Sequence, residues 1–365
     1  MTDAVRPSSP KIGVIVVAFN SDQIIDECLE SLFAAGHDGL RVVVVDNNSR
    51  DATCQVVCDW ASGRTPFLRR ENCPLPSAPV VAKPIALIDA AVGEKLPSRA
   101  ALTLLRSPVN GGYAYAVNLG LQHLLDDDEI SLFWVLNPDC VVPPQTPAVI
   151  AAAAQDTNFS LMGGRTIYYE RPDEIQTDGG RVSRVTGGCQ SVNCGLPPDT
   201  TSMPDVAMID YITGASLVAS RRFVEMAGLM DDRYFLYYEE VDWAFRRGDL
   251  PLRLVAELIV FHRGGTTIGT GDTTRRASPF ANYFNYRNRM WFVRRFQPHA
   301  QLFTLGFALL KAAQLILKGG LDEAWAVLAG TFAWRPPGAV RNRIIGAAAQ
   351  TYAFGASSKN LEVHS

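Results

Sequence analysis

With 365 residues, 47% of them hydrophobic, the chain is long enough to bury a full core as one large domain or two. Its 34 basic and 37 acidic residues leave a net charge of −3, which excludes the electrostatic footprint of a nucleic-acid-binding protein. The seven cysteines (28, 54, 58, 73, 140, 189 and 194) are odd in number and include no Cys-x-x-Cys, so they read as reduced thiols of a cytoplasmic protein rather than a zinc ribbon or disulfide framework.

Residues 1–10 carry no apolar signal-peptide core and are expected to be a disordered lead-in. Residues 12–19 form a continuous β-branched run, the pattern of a parallel strand buried on both faces. Asn20 and Gln23 resemble a capping box, and Ile24, Ile25, Cys28, Leu29, Leu32 and Phe33 follow with helical spacing. A second buried strand over 41–45 closes on Asp46-Asn47-Asn48-Ser49 and precedes a helix through Val56, Val57 and Trp60. Such alternation with short loops begins a doubly wound sheet. Residues 62–97 are proline-rich and aperiodic, and are expected to form a surface insertion with a short helix near 87–92.

Regular structure resumes with a strand at 102–105, Asn110-Gly111-Gly112, a helix over 113–125 and a strand over 132–136 that runs into Asn137-Pro138-Asp139. A helix follows at 147–154, and paired strands are expected over 160–169. Gly179-Gly180, Gly187-Gly188 and Gly195 mark a hairpin-rich segment that could lie over a site. Residues 211–219 read as a strand, 221–227 as a short helix, 239 onward as an acidic helix and 252–261 as a strand. Two helical stretches, 302–317 and 321–332, close the chain. The first is interrupted by Lys311 and falls short of the roughly 20 apolar residues a membrane span needs.

The loop after residues 12–19 has neither Gly-x-Gly-x-x-Gly nor Gly-x-x-x-x-Gly-Lys, which argues against a dinucleotide dehydrogenase and a P-loop NTPase. Carboxylates bridging a divalent cation are then the usual means of holding phosphate. Asp46 ends a strand where the ligand crevice of such a sheet opens. Its carboxylate can accept a uracil or thymine imide N–H, and equally Asp46 and Ser49 can cap the next turn. Asp139, fixed behind Pro138, projects from a strand end, though it reads as well as a turn aspartate. Glu239, Glu240 and Asp242 could deprotonate an incoming hydroxyl, or simply complement the dipole of the helix they start. His262, delivered by the following strand, could close a metal site or be a satisfied buried histidine. Two carboxylate elements at strand ends point together to metal-assisted transfer chemistry.

In order along the chain, Ile15-Val16-Val17-Ala18-Phe19-Asn20, Val44-Val45-Asp46-Asn47-Asn48-Ser49, Asn110-Gly111-Gly112-Tyr113-Ala114 through Asn118, Leu136-Asn137-Pro138-Asp139, and Phe235 to Asp242 resemble the inverting family 2 glycosyltransferases of GT-A fold. They are most similar to the bacterial rhamnosyltransferase-like branch, as is Tyr283 through Arg287-Asn288 to Phe292. The resemblance covers about residues 11–296 apart from the 62–97 insertion. It implies a GT-A-type doubly wound mixed α/β sheet, with residues 297–365 as a helical C-terminal extension and tail.

By the same resemblance, Asp46 contacts the nucleotide base, and Asn110 and Asn137 join the donor site. Asp139 holds Mg²⁺ or Mn²⁺ on the donor diphosphate, Glu240 is the catalytic base and His262 reaches the metal. Asn137 stands where the family carries the first aspartate of Asp-x-Asp, and Glu240 where aspartate is commoner. The implied partners are a nucleotide-diphosphate sugar, with dTDP-rhamnose first and UDP-sugars behind it, and a glycan or lipid-linked glycan acceptor in polysaccharide biosynthesis. A sugar nucleotidyltransferase shares the crevice but needs a glycine-rich, basic first loop, which Ala18-Phe19-Asn20-Ser21 does not supply. A non-catalytic glycan-binding module is the other alternative, and the carboxylates at 139 and 240 count against it. The apolar C-terminal helices with Lys311, Lys318, Arg335, Arg341 and Arg343 suit either peripheral contact with the inner face of the cell membrane or packing on the domain or on a second copy.

Overall fold

The β-branched run read above forms the strand β1 (Lys11–Ala18), buried almost throughout because helices cover both of its faces. A computed structural model describes residues 10–37, 39–76, 80–94, 96, 100–264 and 276–355. Of the expected lead-in, only Pro10 lies within them. The first half of the fold alternates α1 (Ile25–Phe33), β2 (Leu40–Asp46), α2 (Thr53–Ser62), β3 (Leu87–Ala91), β4 (Leu102–Arg106), α3 (Tyr113–Leu125) and β5 (Ile130–Leu136). Then come β6 (Cys140–Val141), α4 (Thr146–Ala153), β7 (Leu161–Tyr168), β8 (Ile175–Thr177), β9 (Gly180–Val182), β10 (Cys189–Ser191), β11 (Ser216–Ser220), α5 (Arg221–Ala227), α6 (Glu239–Phe245) and β12 (Arg253–His262). The helices α7 (Pro279–Phe296), α8 (Gln301–Leu317), α9 (Leu321–Thr331), α10 (Gly338–Arg341) and α11 (Ala347–Phe354) complete the described chain.

The large sheet runs β3-β4-β2-β1-β5-β11-β7-β12-β6, with β8 added beside β7. Strands β3, β4, β2, β1 and β5 are parallel, whereas β11 joins β5 and β7 antiparallel. Alternate residues of each central strand enter two cores. Ile15, Val17, Val43 and Val45 meet α3, whereas Val14, Val16, Val42 and Val44 share the core of α1, α2 and α4. A strand covered on both faces needs apolar side chains at consecutive positions, which explains its unbroken run. This is the doubly wound mixed α/β sheet with a helical C-terminal extension that the sequence led us to expect.

Several elements differ from expectation. Residues 87–91 form β3 rather than a helix, so the 62–97 segment adds an edge strand to the sheet. Its lead-in is tied down by Glu30, whose carboxylate accepts from Trp60 Nε1 (2.8 Å), Lys83 Nζ (2.9 Å) and Val81 N (2.6 Å). Residues 160–169 give the single strand β7, not a pair. The capping box does not form: α1 starts beyond it without a side-chain cap, and Asn20, at φ 51°, accepts the Arg50 N–H instead. The apolar helical stretch read over 302–317 is also longer than expected. A 3-10 turn extends it back to give Pro298–Leu317, 20 residues of mean hydropathy 1.6, which by length and composition alone could cross a membrane.

The C-terminal helices dock closely. α9 packs on α7 through Gly330, where a Cβ would lie 2.3 Å from the Tyr283 carbonyl oxygen. Val340, Ile344, Ala349 and Ala353 share a small core with Phe235, Phe280 and Phe284, so the extension reaches the elements that carry the site.

Candidate active site

The strands β1, β2 and β5 end together. Register pairs Ala18 with Asp46 and Val16 with Leu136, so the loops after these strands open on one edge of the sheet. At this edge lies a cavity of about 800 Å³, within the range of roughly 300–1,000 Å³ usual for small-molecule sites. Its lining includes Asn110, Asn137, Asp139, Glu239, Glu240 and His262, which the sequence places far apart.

One wall is a polar triad made by strand pairing. β12 runs antiparallel to the short β6, with His262 opposite Cys140. That register sets His262 Nε2 3.2 Å from Asp139 Oδ1, with Asn137 Nδ2 at 3.4 Å. His262 Nδ1 lies 2.6 Å from Gln176 Oε1, and since that oxygen can only accept, Nδ1 carries the proton of this bond. Nε2 therefore turns toward the Asp139 carboxylate. Two acceptors at this distance repel unless a proton or cation lies between them. An imidazole oriented by a hydrogen bond on its far nitrogen is the usual form of a metal ligand. A separation near 3 Å also suits adjacent ligands of one divalent ion with bonds of roughly 2.1 Å.

Burial alone would raise the Asp139 carboxyl, but a proton held between it and His262, then a backbone N–H and Arg263, outweigh it and hold the group below the usual carboxylate range. Asp139 therefore keeps its charge. The ligand atoms of Asp139, Cys140 and His262 lie within 4.8 Å of one another. Burial, reinforced by the Asp139 charge, pushes the Cys140 thiol far up, and the thiol donates to the Ala215 carbonyl at 3.4 Å. An oxygen–nitrogen pair, with Cys140 held as a thiol, fits the hard divalent cation expected from the sequence better than it fits a thiolate-bound metal.

The opposite wall is the start of α6. Its three acidic residues separate on inspection. The Asp242 carboxylate is fully buried and accepts from Arg246 Nε (2.8 Å), Arg295 Nη1 (2.9 Å) and the Tyr234 hydroxyl (3.1 Å). It does not line the cavity. Glu239 and Glu240 do line it, and each has a buried carboxylate oxygen without a hydrogen-bond partner among the described residues. Burial and then the neighbouring Glu240 charge push Glu239 well above the carboxylate range. Burial raises Glu240 to about 7, with backbone N–H groups opposing the shift. Two adjacent carboxyls that resist ionising together titrate as a pair.

The segment before α6 is strained: Phe235, Tyr237 and Tyr238 have φ of 62°, 70° and 73°. Non-glycine residues hold such angles only where their surroundings over-determine them. Here α7 supplies the clamp. The fully buried Asn288 reaches the carbonyl oxygens of Tyr234 (2.9 Å), Leu236 (2.7 Å) and Tyr237 (2.8 Å) through Nδ2, while Arg287 Nη2 donates to Tyr234 at 2.8 Å. Gly112, at φ 93°, allows Tyr113 N to meet the Phe235 carbonyl at 2.7 Å, and a Cβ there would lie 2.4 Å from the same oxygen. Asn288→Ala should therefore cost about 1–3 kcal/mol through stranded buried carbonyls. A lowered denaturation midpoint together with a turnover loss larger than the loss of donor affinity would be the signature.

The remaining residues take less central places. Asn110 Oδ1 accepts from Asn47 Nδ2 and Gly112 N, both at 3.1 Å, and so shapes the cavity floor. The buried Asp46 is not part of the lining, and its carboxylate accepts the Ser49 N–H at 3.1 Å, as the turn-cap reading anticipates. The glycine-punctuated segment does border the site, through Gln176, Thr177, Ser191 and Cys194. Sequence reasoning gave no role to Gln176, Asn47, Tyr113 or Asn288. The Tyr113 hydroxyl lies 2.7 Å from the Gly214 carbonyl and 3.1 Å from Asn137 Oδ1, bracing both walls.

Three comparisons relate the chain to known proteins. Residues 13–72, from β1 into the insertion, match the family described as glycosyl transferase family 2. The low-salt glycan biosynthesis hexosyltransferase Agl10 of Haloferax volcanii is 25% identical over 184 residues, 49% of this chain. The match spans 56% of that relative, little more than half its length. Among solved structures, the mannosyltransferase PcManGT from Pyrobaculum calidifontis, in complex with GDP-Man and Mn2+, aligns with 98% of this chain and 88% of its own at TM-score 0.48 and 17% identity. S. aureus TarS 1-349 aligns with 92% of this chain and 82% of its own at TM-score 0.49 and 14% identity.

Proposed function

We propose that the protein is an inverting glycosyltransferase that moves a sugar from a nucleotide-diphosphate donor to a hydroxyl of a glycan or lipid-linked glycan in polysaccharide biosynthesis. The observation that carries this reading is one cavity walled on one side by Asp139 and His262 and on the other by Glu239 and Glu240. Asp139 and His262 would hold Mg²⁺ or Mn²⁺, which when bound supplies charge to stabilise the departing diphosphate. Asn110 and Asn137 offer amides toward the donor. Asp46, just outside the cavity at the end of β2, is assigned to the nucleotide base. On the sequence resemblance alone, dTDP-rhamnose is the donor we place first. The relative Agl10, a hexosyltransferase of glycan biosynthesis, supports transfer of a hexose-type sugar.

Glu240 takes the proton of the acceptor hydroxyl as its oxygen attacks the anomeric carbon from the face opposite the diphosphate, so the configuration inverts. Its upward-shifted carboxyl suits the task, because a base is most effective when its pKa lies near the working pH. The protonated neighbour Glu239 avoids placing two charges side by side. The working form of Glu240 is the deprotonated one. Turnover should accordingly rise about tenfold per pH unit below a midpoint near the 7 of Glu240, then level off above it. A pH profile of kcat with saturating donor checks this. A rate flat from pH 5 to 9 would remove the carboxyl pair from the chemistry, and retention of the donor's anomeric configuration in the product would contradict the single displacement.

A further inference from the structure

The helix α8 is built inside out. Its buried stripe is Thr304, Ala308, Ala312 and Leu315, mostly small groups that share a core with Ala324 and Val327 of α9. Its large side chains face outward instead: Leu302, Phe303, Leu310 and Leu317 are 81%, 65%, 73% and 89% exposed. Leu321, Trp325, Phe332, Trp334 and Ile345 are exposed as well, with the Trp325 and Trp334 rings 5.6 Å apart. Most of the exposed large apolar side chains among the described residues lie between Leu302 and Tyr352. Large apolar side chains left exposed together in one segment mark a docking site rather than scattered exposure.

Charge selects the partner. Between residues 302 and 352 the basic Lys311, Lys318, Arg335, Arg341 and Arg343 outnumber the acidic Asp322 and Glu323. Pairing two copies through it would bring like charges together, whereas an anionic lipid surface would match them. Clustered tryptophans beside basic residues are also the composition of a bilayer interface. Because α8 is held along its small-residue stripe against α9, it presents its outer face without leaving the protein.

We propose that α8, α9 and the segment through Ile345 seat the protein in the headgroup layer of an anionic bilayer, with the cavity opening at the edge of this contact. Arg343 and Ile344 line the cavity while the next residue, Ile345, is 56% exposed on the apolar surface. A lipid-linked acceptor would thus meet Glu240 from the membrane side. That purpose rests on the transfer reading above, but the contact itself does not.

The test is flotation of the full chain with phosphatidylcholine vesicles and with phosphatidylcholine–phosphatidylglycerol vesicles, without donor or acceptor. Binding is expected with the anionic vesicles, weakening as salt is raised. The Leu302→Ser/Leu310→Ser/Leu317→Ser variant should lose at least roughly a hundredfold in partitioning, since three exposed leucines leave the lipid. Lys311→Gln/Lys318→Gln/Arg335→Gln should lose roughly fivefold per charge while keeping the apolar face intact. No flotation, or flotation unchanged in both variants, would overturn the proposal. So would a dimer by light scattering that the leucine variant dissociates, with no vesicle binding. Donor turnover measured separately keeps this outcome distinct from failure of the glycosyltransferase reading.

Discussion

Glu240→Gln should lower turnover by at least ~10²-fold while leaving donor affinity nearly unchanged. The amide keeps the shape of the side chain beside Gly214 and Tyr113, so the cavity stays formed, but it cannot accept a proton. The neighbouring acids separate by environment. Glu239 is already pushed toward its neutral form by burial and by Glu240, so Glu239→Gln resembles the working state and should cost much less. Asp242→Asn should act on the fold instead. It leaves the partly buried Arg246 with a neutral partner and loosens the half-exposed Arg295, so the thermal midpoint should fall. Steady-state kinetics and thermal midpoints for the three variants decide the matter. An active Glu240→Gln beside a dead Glu239→Gln would move the base by one residue.

Asp139→Ala should abolish the effect of Mn²⁺ or Mg²⁺ on donor binding, a loss of ~10²-fold or more. Among the described residues it removes the carboxylate that meets His262 Nε2, whereas Asn137 offers no charge to replace it. Gln176→Ala, which frees the far side of the imidazole, should weaken the metal by about 10–100-fold, the usual cost of losing a ligand's supporting hydrogen bond. Titration calorimetry of donor with and without metal reads both. A metal effect that survives in Asp139→Ala would take this residue out of the site.

The sequence exposed the parts of this account that local pattern controls. The apolar runs ending at Asp46 and Leu136 announced buried strands, and Pro138 and the acidic start of α6 marked where chemistry could sit. Long-range pairing decided the rest. His262 meets Asp139 only because β12 joins the two-residue strand β6, too short to leave a pattern. Gln176 belongs to a hairpin segment without periodicity. The clamp of Asn288 on the Phe235–Tyr238 segment spans about fifty residues, so the motif around Arg287-Asn288 could be noticed in the sequence while its partner could not. The segment Leu-Ile-Asp-Ala-Ala at 87–91 has the alanines of a helix but becomes β3 because β4 offers it an open edge, a tertiary choice over local preference. Local spacing likewise left Glu239, Glu240 and Asp242 equivalent, and the two arginines on Asp242 are what distinguish it.

The central claim is transfer from a nucleotide sugar by a cavity that uses both a divalent ion and a carboxylate base. The most direct measurement is nucleoside diphosphate release from a panel of dTDP-, UDP- and GDP-sugars, with Mn²⁺ or Mg²⁺ and again with chelator. Release is expected from at least one donor, lost on chelation and in Glu240→Gln, with donor binding retained in that variant. Release that is indifferent to chelator and to Glu240, or a panel in which no donor is either turned over or bound, would contradict that claim.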